Sequence, residues 1–368
     1  MSGFDAWLSA FSARAARQGV AIEPLQQATY LPEVIAKDRH QPETALSLPA
    51  YLARVVTDQQ VEAGRAALTR YGDMFDRIEA RYPVDRHIVA AIWGVESCYG
   101  AMRGDVPVLS ALATLAYEGR RATFFEAELT HALRIIAEGH ATADMRGSWA
   151  GAMGHTQFMP SSHRRDAVDA DGDGRADIWG DDPTDALAST ARYLARRGWQ
   201  QGLPVVTSAQ LSLSADLSQA HSGRALYPSG WAALGVTPVD APASPLSLWL
   251  PAGAHGPAFL TSVNFSALRA YNASNAYALA VATLAIRLAG DPVADLDWPP
   301  DPPLRRAETR NLQSALTNAG FDTKGTDGLP GPNTTHAIRA YQRKHALPVD
   351  GHASAPLLAR LTADSSTD

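Results

Sequence analysis

Ile92-Trp-Gly-Val-Glu-Ser-Cys-Tyr-Gly-Ala-Met-Arg-Gly104 closes an apolar helical run and carries one carboxylate, Glu96. Ile88, Ile92 and Val95 recur at i, i+4 and i+7 on one helical face, and Glu96 lies about one residue's rotation from that stripe, beside Val89 and Trp93. Desolvation at such a position raises a carboxylate's pKa, which suits a general acid working near neutral pH. Gly94, Gly100 and Gly104 clear side chains from around it, as a site that admits a bulky substrate requires. Taken alone, Glu96 reads more readily as a surface residue at a helix C-terminus. The flanking sequence shifts that balance.

The length of 368 residues fits about two domains with room for a large core. A net charge of -6, with acidic residues and arginines interspersed, argues against a nucleic-acid partner. The single cysteine, Cys98, excludes an intrachain disulfide and a thiolate-rich metal site, and a small buried filler is expected there. The first twenty residues place Phe4, Trp7, Leu8 and Phe11 at helical spacing, without the unbroken apolar segment of a signal peptide. No window reaches the roughly 18 consecutive apolar residues of a membrane span. A soluble chain is expected, with any export signal already removed.

Pro24 to Pro42 reads as irregular, and a helical pattern starting at Ser47-Leu-Pro-Ala-Tyr51 runs to Arg81. Pro83 ends it, and Asp85 can cap the helix that leads to Glu96. Helices are expected at 109–117, 122–137, 184–197 and 278–288, with weak strands and loops between Gln201 and Pro257. Arg120 and Arg121 form a paired cation that can hold an anionic substrate group or simply be solvated. Ser148 and Gln157 flank a Gly-rich turn, Gly151-Ala-Met-Gly154, and Gln157 can hydrogen-bond a sugar amide or a water. Tyr271, Asn272 and Tyr277 bring ring faces and an amide together, a composition suited to sugars, although Asn272 also reads as a helix cap.

Asp169-Ala-Asp-Gly-Asp-Gly-Arg-Ala-Asp177 matches the first half of an EF-hand loop. Asp169, Asp171 and Asp173 fall at positions one, three and five, the Arg175 carbonyl at seven, and Gly174 at the sharp turn. The twelfth position is Gly180, so Asp181, Asp182 or Asp185 must close the shell. Four aspartates within nine residues repel one another without a cation, and calcium is the expected ligand. The prolines of 291–303 mark a stiff linker. About sixty residues then read helix, turn, helix, loop, helix, a domain small enough that binding is its expected role.

With Gly94-Val-Glu-Ser-Cys-Tyr-Gly100, Gly151-Ala-Met-Gly-His-Thr-Gln-Phe-Met-Pro-Ser161, the Asp-rich loop, Gly198-Trp199 and Asn264-Phe…Tyr271-Asn272…Tyr277 in view, residues 4–290 resemble the lytic murein transglycosylase B family. The tail, with Leu312-Gln313, Asp327-Gly328, Tyr341-Gln342 and Leu347-Pro-Val-Asp-Gly351, resembles a three-helix peptidoglycan-binding domain. The resemblance implies a mainly α, lysozyme-like catalytic domain over 1–290 with a small β and loop region and a structural Ca2+ loop, a linker over 291–303, and a wall-binding domain over 304–368. It implies non-hydrolytic cleavage of the β-1,4 bond between N-acetylmuramic acid and N-acetylglucosamine, giving a 1,6-anhydro product. Glu96 matches the catalytic glutamate, acting first as acid and then as base. Ser148, Gln157, Tyr193, Tyr271, Asn272 and Tyr277 match groove positions, as do Tyr51 and Tyr117, and Arg120 and Arg121 match arginines near the peptide stem. Asp185 precedes the same kind of helix as the family's closing calcium ligand.

A monomeric, periplasmic enzyme follows from that resemblance, with glycan strands and other wall-synthesis or remodelling proteins as partners. Two rivals share the same residues: a muramidase that uses water, and a non-catalytic wall-binding scaffold. Retention of Glu96 with Gln157 argues against the scaffold, because a binder has no need of a buried acid.

Overall fold

The helix Arg86–Ser97 starts where the sequence places its cap: Asp85 Oδ1 accepts the His87 N–H at 2.7 Å, satisfying one orphan amide of the first turn. Ile88 through Gly94 are all buried, so the helix is enclosed on every side until its last turn. Each of Ile88, Val89 and Ile92 so buried contributes about 1.5–3 kcal/mol. Cys98, with φ 50, stops the helix in the left-handed region. It is half-buried rather than the enclosed filler expected, and its sulfur accepts from the Gln60 side-chain amide at 3.3 Å.

This computed structural model describes residues 3–40, 46–240 and 242–364, and helices dominate among them. The chain divides into two compact units. One comprises Met1–Gln41, Val56–Gln201 and Thr283–Asp291; the other comprises Pro42–Val55, Gly202–Ala282 and Pro292–Asp368. In the first unit, Asp58–Arg70, Gly72–Arg81 and Thr184–Ala195 pack against Arg86–Ser97. Val108–Glu118 and Ala122–Ala137 lie against each other, and a two-stranded antiparallel ribbon pairs Val106–Pro107 with Arg146–Gly147.

Two sequence expectations are corrected here. The segment after Pro24 contains a 3-10 turn, Glu23–Gln27, and a helix, Pro32–Arg39, each with a proline in its first turn. Pro42 lies outside the described residues. The continuous pattern from Ser47 to Arg81 breaks into Leu48–Val55, Asp58–Arg70 and Gly72–Arg81. Thr57 interrupts it by capping, its hydroxyl accepting the Gln60 N–H at 3.2 Å, and Tyr71 interrupts it again.

The second unit contains a five-stranded antiparallel sheet in the order Ala225–Leu226, Leu246–Trp249, Ala258–Thr261, Val206–Leu211, Val236–Pro238. Leu217, Trp231, Leu246, Leu248 and Leu260 are buried in its core, and the Trp231 indole N–H donates to the Leu246 carbonyl at 2.7 Å. The tail forms the three expected helices, Arg306–Asn318, Pro332–Lys344 and Ala355–Asp364, around Leu312, Leu316, Ile338, Tyr341 and Leu361. Pro299, Pro300, Pro302 and Pro303 belong to this unit and line a cavity with the tail, so the Pro-rich stretch is a wall as well as a connection.

Asp350, buried in the tail, accepts the Ala254 N–H at 2.7 Å, the Gln342 side-chain N–H at 2.7 Å and the His352 N–H at 2.9 Å. Asp350→Ala strands those buried donors and should cost about 1–3 kcal/mol. A lower denaturation midpoint is the expected reading; an unchanged one would mean that the carboxylate does not hold tail and sheet segment together.

Candidate active site

Glu96 stands half-buried on the last turn of Arg86–Ser97, and its neighbours fix where that turn ends. Ser97 Oγ donates to the His155 carbonyl at 2.5 Å and accepts the Gly100 N–H at 3.0 Å. Trp93, one turn back, donates its indole N–H to His155 Nδ1 at 3.1 Å. With Nδ1 accepting, the neutral ring carries its proton on Nε2, which lies 2.7 Å from the Gly180 carbonyl and donates to it. One buried imidazole therefore ties the Glu96 helix to the Gly-rich turn and to the end of the Asp-rich loop. Gly100 has to be glycine: its φ is +88, and a Cβ there would stand 2.6 Å from His155 Nδ1.

Gln157 adopts a left-handed conformation, φ 53, and its amide donates to the Arg103 carbonyl at 3.0 Å and the Gly154 carbonyl at 2.8 Å. These bonds fix the amide and leave its oxygen as the group able to accept from a ligand. Ser148 Oγ accepts the Ala152 N–H at 3.0 Å, closing the turn that leads to Gln157. Gly104 lies so close to the ribbon that a Cβ would meet the Gly147 carbonyl at 2.3 Å. Residues on both sides of Glu96 are thus bound to the Gly-rich turn, while Glu96 keeps partial access to solvent.

The other expected positions are distributed more widely. Tyr193 is 5% exposed, with the Arg197 guanidinium 3.2 Å from its ring centroid and burial raising its pKa. Tyr117 is partly exposed and packs with Phe4, Trp7 and Tyr30. Tyr271 and Tyr277 stack at 6.3 Å in the second unit; Asn272 Oδ1 accepts the Ser274 N–H at 3.1 Å in the turn before the helix Asn275–Ala289, whose side-chain cap is Ser274, its hydroxyl accepting the Tyr277 N–H at 3.3 Å. Tyr51 is half-buried on Leu48–Val55, also in the second unit.

Arg120 and Arg121 do not form a paired cation site of equals. Arg120 pairs with buried Asp38, donating to it from backbone and guanidinium, and Arg121 lies over Phe124 and Phe125 at 5.0 and 5.2 Å. Burial pushes the Asp38 carboxyl up, but the Arg120 hydrogen bonds outweigh it and hold the group below its ordinary value.

In the Asp-rich loop, Asp169, Asp171 and Asp173 each offer a carboxylate oxygen, all within 4.8 Å of one another. Asp169 accepts the Gly172 and Gly174 N–H groups at 2.6 and 2.8 Å, which curls the loop around them. Asp185, buried at the start of Thr184–Ala195, accepts the Ala170 N–H at 2.8 Å and the Asp177 N–H at 2.9 Å. Burial pushes its carboxyl up to about 6, and the Asp171 charge adds to that. Asp182 caps the same helix through the Thr184 N–H, and Asp181 reaches Arg103 at 3.4 Å. Of the candidates to close the loop, Asp185 is therefore the one bonded across it.

Sequence reading missed His155, Arg103 and Glu128. Arg103 donates to the Trp179 and Gly180 carbonyls at 2.6 and 2.5 Å, and buried Glu128 accepts the Ser161 N–H and hydroxyl at 2.8 and 2.7 Å at the start of Pro160–Asp166. Each acts across a long sequence separation, so no local pattern announces it.

The chain matches the transglycosylase SLT domain family over residues 3–286 and the peptidoglycan binding domain family over residues 305–361. It is similar to the crystal structure of SltB3 from Pseudomonas aeruginosa in complex with NAG-anhNAM-pentapeptide: TM-score 0.92, 41% identity, 98% of this chain and 99% of that one. It is also similar to Slt35, a lytic transglycosylase of Escherichia coli in complex with calcium, with TM-score 0.66, 31% identity, and coverage of 77% and 92%. The membrane-bound lytic murein transglycosylase B of Escherichia coli K12 is 37% identical over 198 residues, about half of each chain at 51% and 54%.

Two buried histidines make this unit sensitive to acid. Burial lowers His155, and pushes His163, which donates Nε2–H to the Ala176 carbonyl at 2.9 Å, down to about 4. A histidine depressed in the folded chain is neutral there, while the unfolded chain takes up a proton near 6.5. Stability is present above that value and is lost as pH falls from about 6.5 towards 4, by about 3 kcal/mol at most for His163. Asp185, raised to about 6, contributes with the opposite sign over the same range, so the test is the difference between chains: urea midpoints should fall more steeply with acid in the unsubstituted chain than in His163→Asn, and parallel profiles would overturn the assignment.

Proposed function

Because the chain belongs to the transglycosylase SLT domain family, we propose that it is a lytic transglycosylase that cleaves the β-1,4 bond between N-acetylmuramic acid and N-acetylglucosamine in peptidoglycan. The observation that carries this reading is the placement of Glu96: one half-buried carboxylate, on a turn whose neighbours are fixed to the Gly-rich turn by Ser97, Trp93 and His155. In the proposed reaction Glu96 first gives its proton to the glycosidic oxygen as the C1–O bond breaks. The resulting carboxylate then takes the proton of the muramoyl C6 hydroxyl, whose oxygen bonds to C1. The acid is regenerated with each turnover, and the product carries a 1,6-anhydro ring. Gln157 offers its amide oxygen to the sugar, and Tyr193, Tyr271, Asn272, Tyr277, Ser148, Tyr51 and Tyr117 serve the glycan as binding or supporting groups. Arg121 is better disposed than Arg120 to meet a stem carboxylate, since Arg120 already pairs with Asp38.

The SltB3 complex holds a sugar-peptide with an anhydro ring, which supports the product assignment by similarity. A substrate in the wall is the ground on which we propose a periplasmic location. The tail, Leu304 onward, would hold the protein on peptidoglycan.

Glu96→Gln keeps the shape of the side chain and removes the proton to be given. Release of fragments from purified sacculi should fall by about 10²–10⁴-fold with the melting temperature unchanged. Mass spectrometry of the fragments from the unsubstituted protein should find terminal 1,6-anhydromuramic acid. Reducing-end muramic acid would establish a hydrolase instead, and binding without release would establish a scaffold.

We also infer that the Asp-rich loop holds calcium. The donor set fits a hard cation: carboxylate oxygens of Asp169, Asp171 and Asp173 lie within 4.8 Å of one another, the Arg175 carbonyl follows at the seventh position, and Asp185 accepts the Ala170 and Asp177 N–H groups across the loop. The cation would neutralise the clustered charge and fix the segment between Gln157 and Tyr193. Chelation should then lower the melting temperature, with calcium restoring it; equal values in both buffers would remove the ion from the account.

A further inference from the structure

Three consecutive residues just after Glu96 and Ser97 are left-handed: Cys98 at φ 50, Tyr99 at φ 57 and Gly100 at φ 88. Only the third is a glycine. A left-handed conformation costs a residue with a side chain about 1–3 kcal/mol, and for a bulky one it is a genuine outlier. A glycine at position 99 would make the same bend without that strain, so other contacts must hold the tyrosine there.

Those contacts form a slot between two helices. The Tyr99 ring lies between Gly64 of Asp58–Arg70 and Gly94 of Arg86–Ser97: a Cβ on Gly64 would overlap the Tyr99 hydroxyl, and one on Gly94 would stand 2.6 Å from it. Gly94 therefore makes room for this ring rather than for a ligand. The hydroxyl donates to the Gln60 carbonyl at 2.9 Å, and the Gln60 side-chain amide donates back to the Gly94 carbonyl at 3.4 Å and to Cys98 Sγ at 3.3 Å. The Tyr99 N–H reaches the Trp93 carbonyl at 3.3 Å, a Schellman-type closure, and the ring meets the Trp93 indole edge-on at 5.6 Å. Burial raises the hydroxyl's pKa well above its ordinary value, so it remains a donor across the working range.

Glu96 precedes Tyr99 by three positions, on the turn that these bonds close. A displacement of a reacting group by about 1 Å can cost about 10²-fold in rate. We propose that Tyr99 is a positioning residue for Glu96: its ring, locked in the slot between Gly64 and Gly94, fixes the last turn of the acid's helix against Asp58–Arg70. The strain at position 99 is then the cost of holding the carboxylate in one place. The inference rests on Glu96 being the acid of the proposed reaction, and it adds a residue of the bend and a neighbouring helix to the machinery that aims it.

The test uses the full chain, with kcat and KM for anhydro-product release from a soluble peptidoglycan tetrasaccharide and a thermal denaturation of each variant. Tyr99→Asn tolerates the left-handed backbone and empties the slot; kcat should fall about 10–100-fold with KM unchanged. Tyr99→Phe keeps the ring and loses only the hydroxyl, and its kcat should stay within about threefold of the unsubstituted chain. Gly64→Ala displaces the ring from the facing helix without altering position 99, so it keeps the test open if Tyr99→Asn fails to fold. It should lower kcat in the same way, again at constant KM. A merely structural role would lower the melting temperature and leave kcat per folded molecule as it was. That result, or a raised KM at constant kcat, would overturn the proposal. Glu96→Gln is measured alongside. Its inactivity together with full activity in Tyr99→Asn overturns the positioning role alone, whereas activity retained in Glu96→Gln overturns the acid assignment itself.

Discussion

The neutral imidazole of His155 is the constraint on which the candidate site depends. It accepts from Trp93 on the Glu96 helix at 3.1 Å and donates to the Gly180 carbonyl at 2.7 Å, while its own carbonyl takes the Ser97 hydroxyl. Only the tautomer protonated at Nε2 satisfies both ring contacts. A second proton would displace the Trp93 donor and set a charge beside Arg103, whose guanidinium is 3.4 Å away; Asp177 and Asp181 act the other way, and burial is the largest cause that lowers the ring's pKa. Burial keeps the ring neutral and so keeps the three segments together. The cost of an off-position acid is large, because proton transfer requires hydrogen-bond distance to the atom that receives the proton.

The rest of the first unit repeats this arrangement of buried polar groups joining distant segments. Asp166 is fully enclosed and meets Arg165, Arg196 and Arg197; Glu128 caps Pro160–Asp166; Asp185 ties Ala170 to Asp177. Buried charges of this kind add little net stability when paired and cost several kcal/mol when one partner is lost. Their effect is to specify one arrangement of loops. That matters where the loops are Gly-rich and would otherwise adopt many.

Much of this was legible in the chain because the signals were local. The cap at Asp85, the helix to Ser97, the span Ala122–Ala137, the curl of the Asp-rich loop and the three helices of the tail all follow from residues within a few positions of one another. The sheet was readable only as weak strands, since its order places Val206–Leu211 beside Ala258–Thr261 and Val236–Pro238, and pairing between distant segments leaves no trace in spacing. The long helical pattern from Ser47 concealed the break at Thr57, where a side chain competes for the backbone. Arg120 looked like a substrate cation because its partner, Asp38, lies 82 positions away. His155 gave no sign for the same reason: its role is defined by Trp93 and Gly180, not by its neighbours.

A reaction that uses one carboxylate twice places a stricter demand on rigidity than one that shares the work between two. In the proposed cycle Glu96 must reach the leaving oxygen as an acid and then the C6 hydroxyl as a base, from a single backbone position. A flexible turn would favour one contact at the expense of the other. Enclosing Ile88–Gly94 on all sides, stopping the helix with left-handed Cys98, binding Ser97 to His155 and Arg103 to Gln157, and holding the Gly100 N–H on Ser97 remove that freedom while Glu96 stays half-buried. The motion needed between the two contacts is then left to the substrate, whose C6 hydroxyl is already attached to the ring it will close.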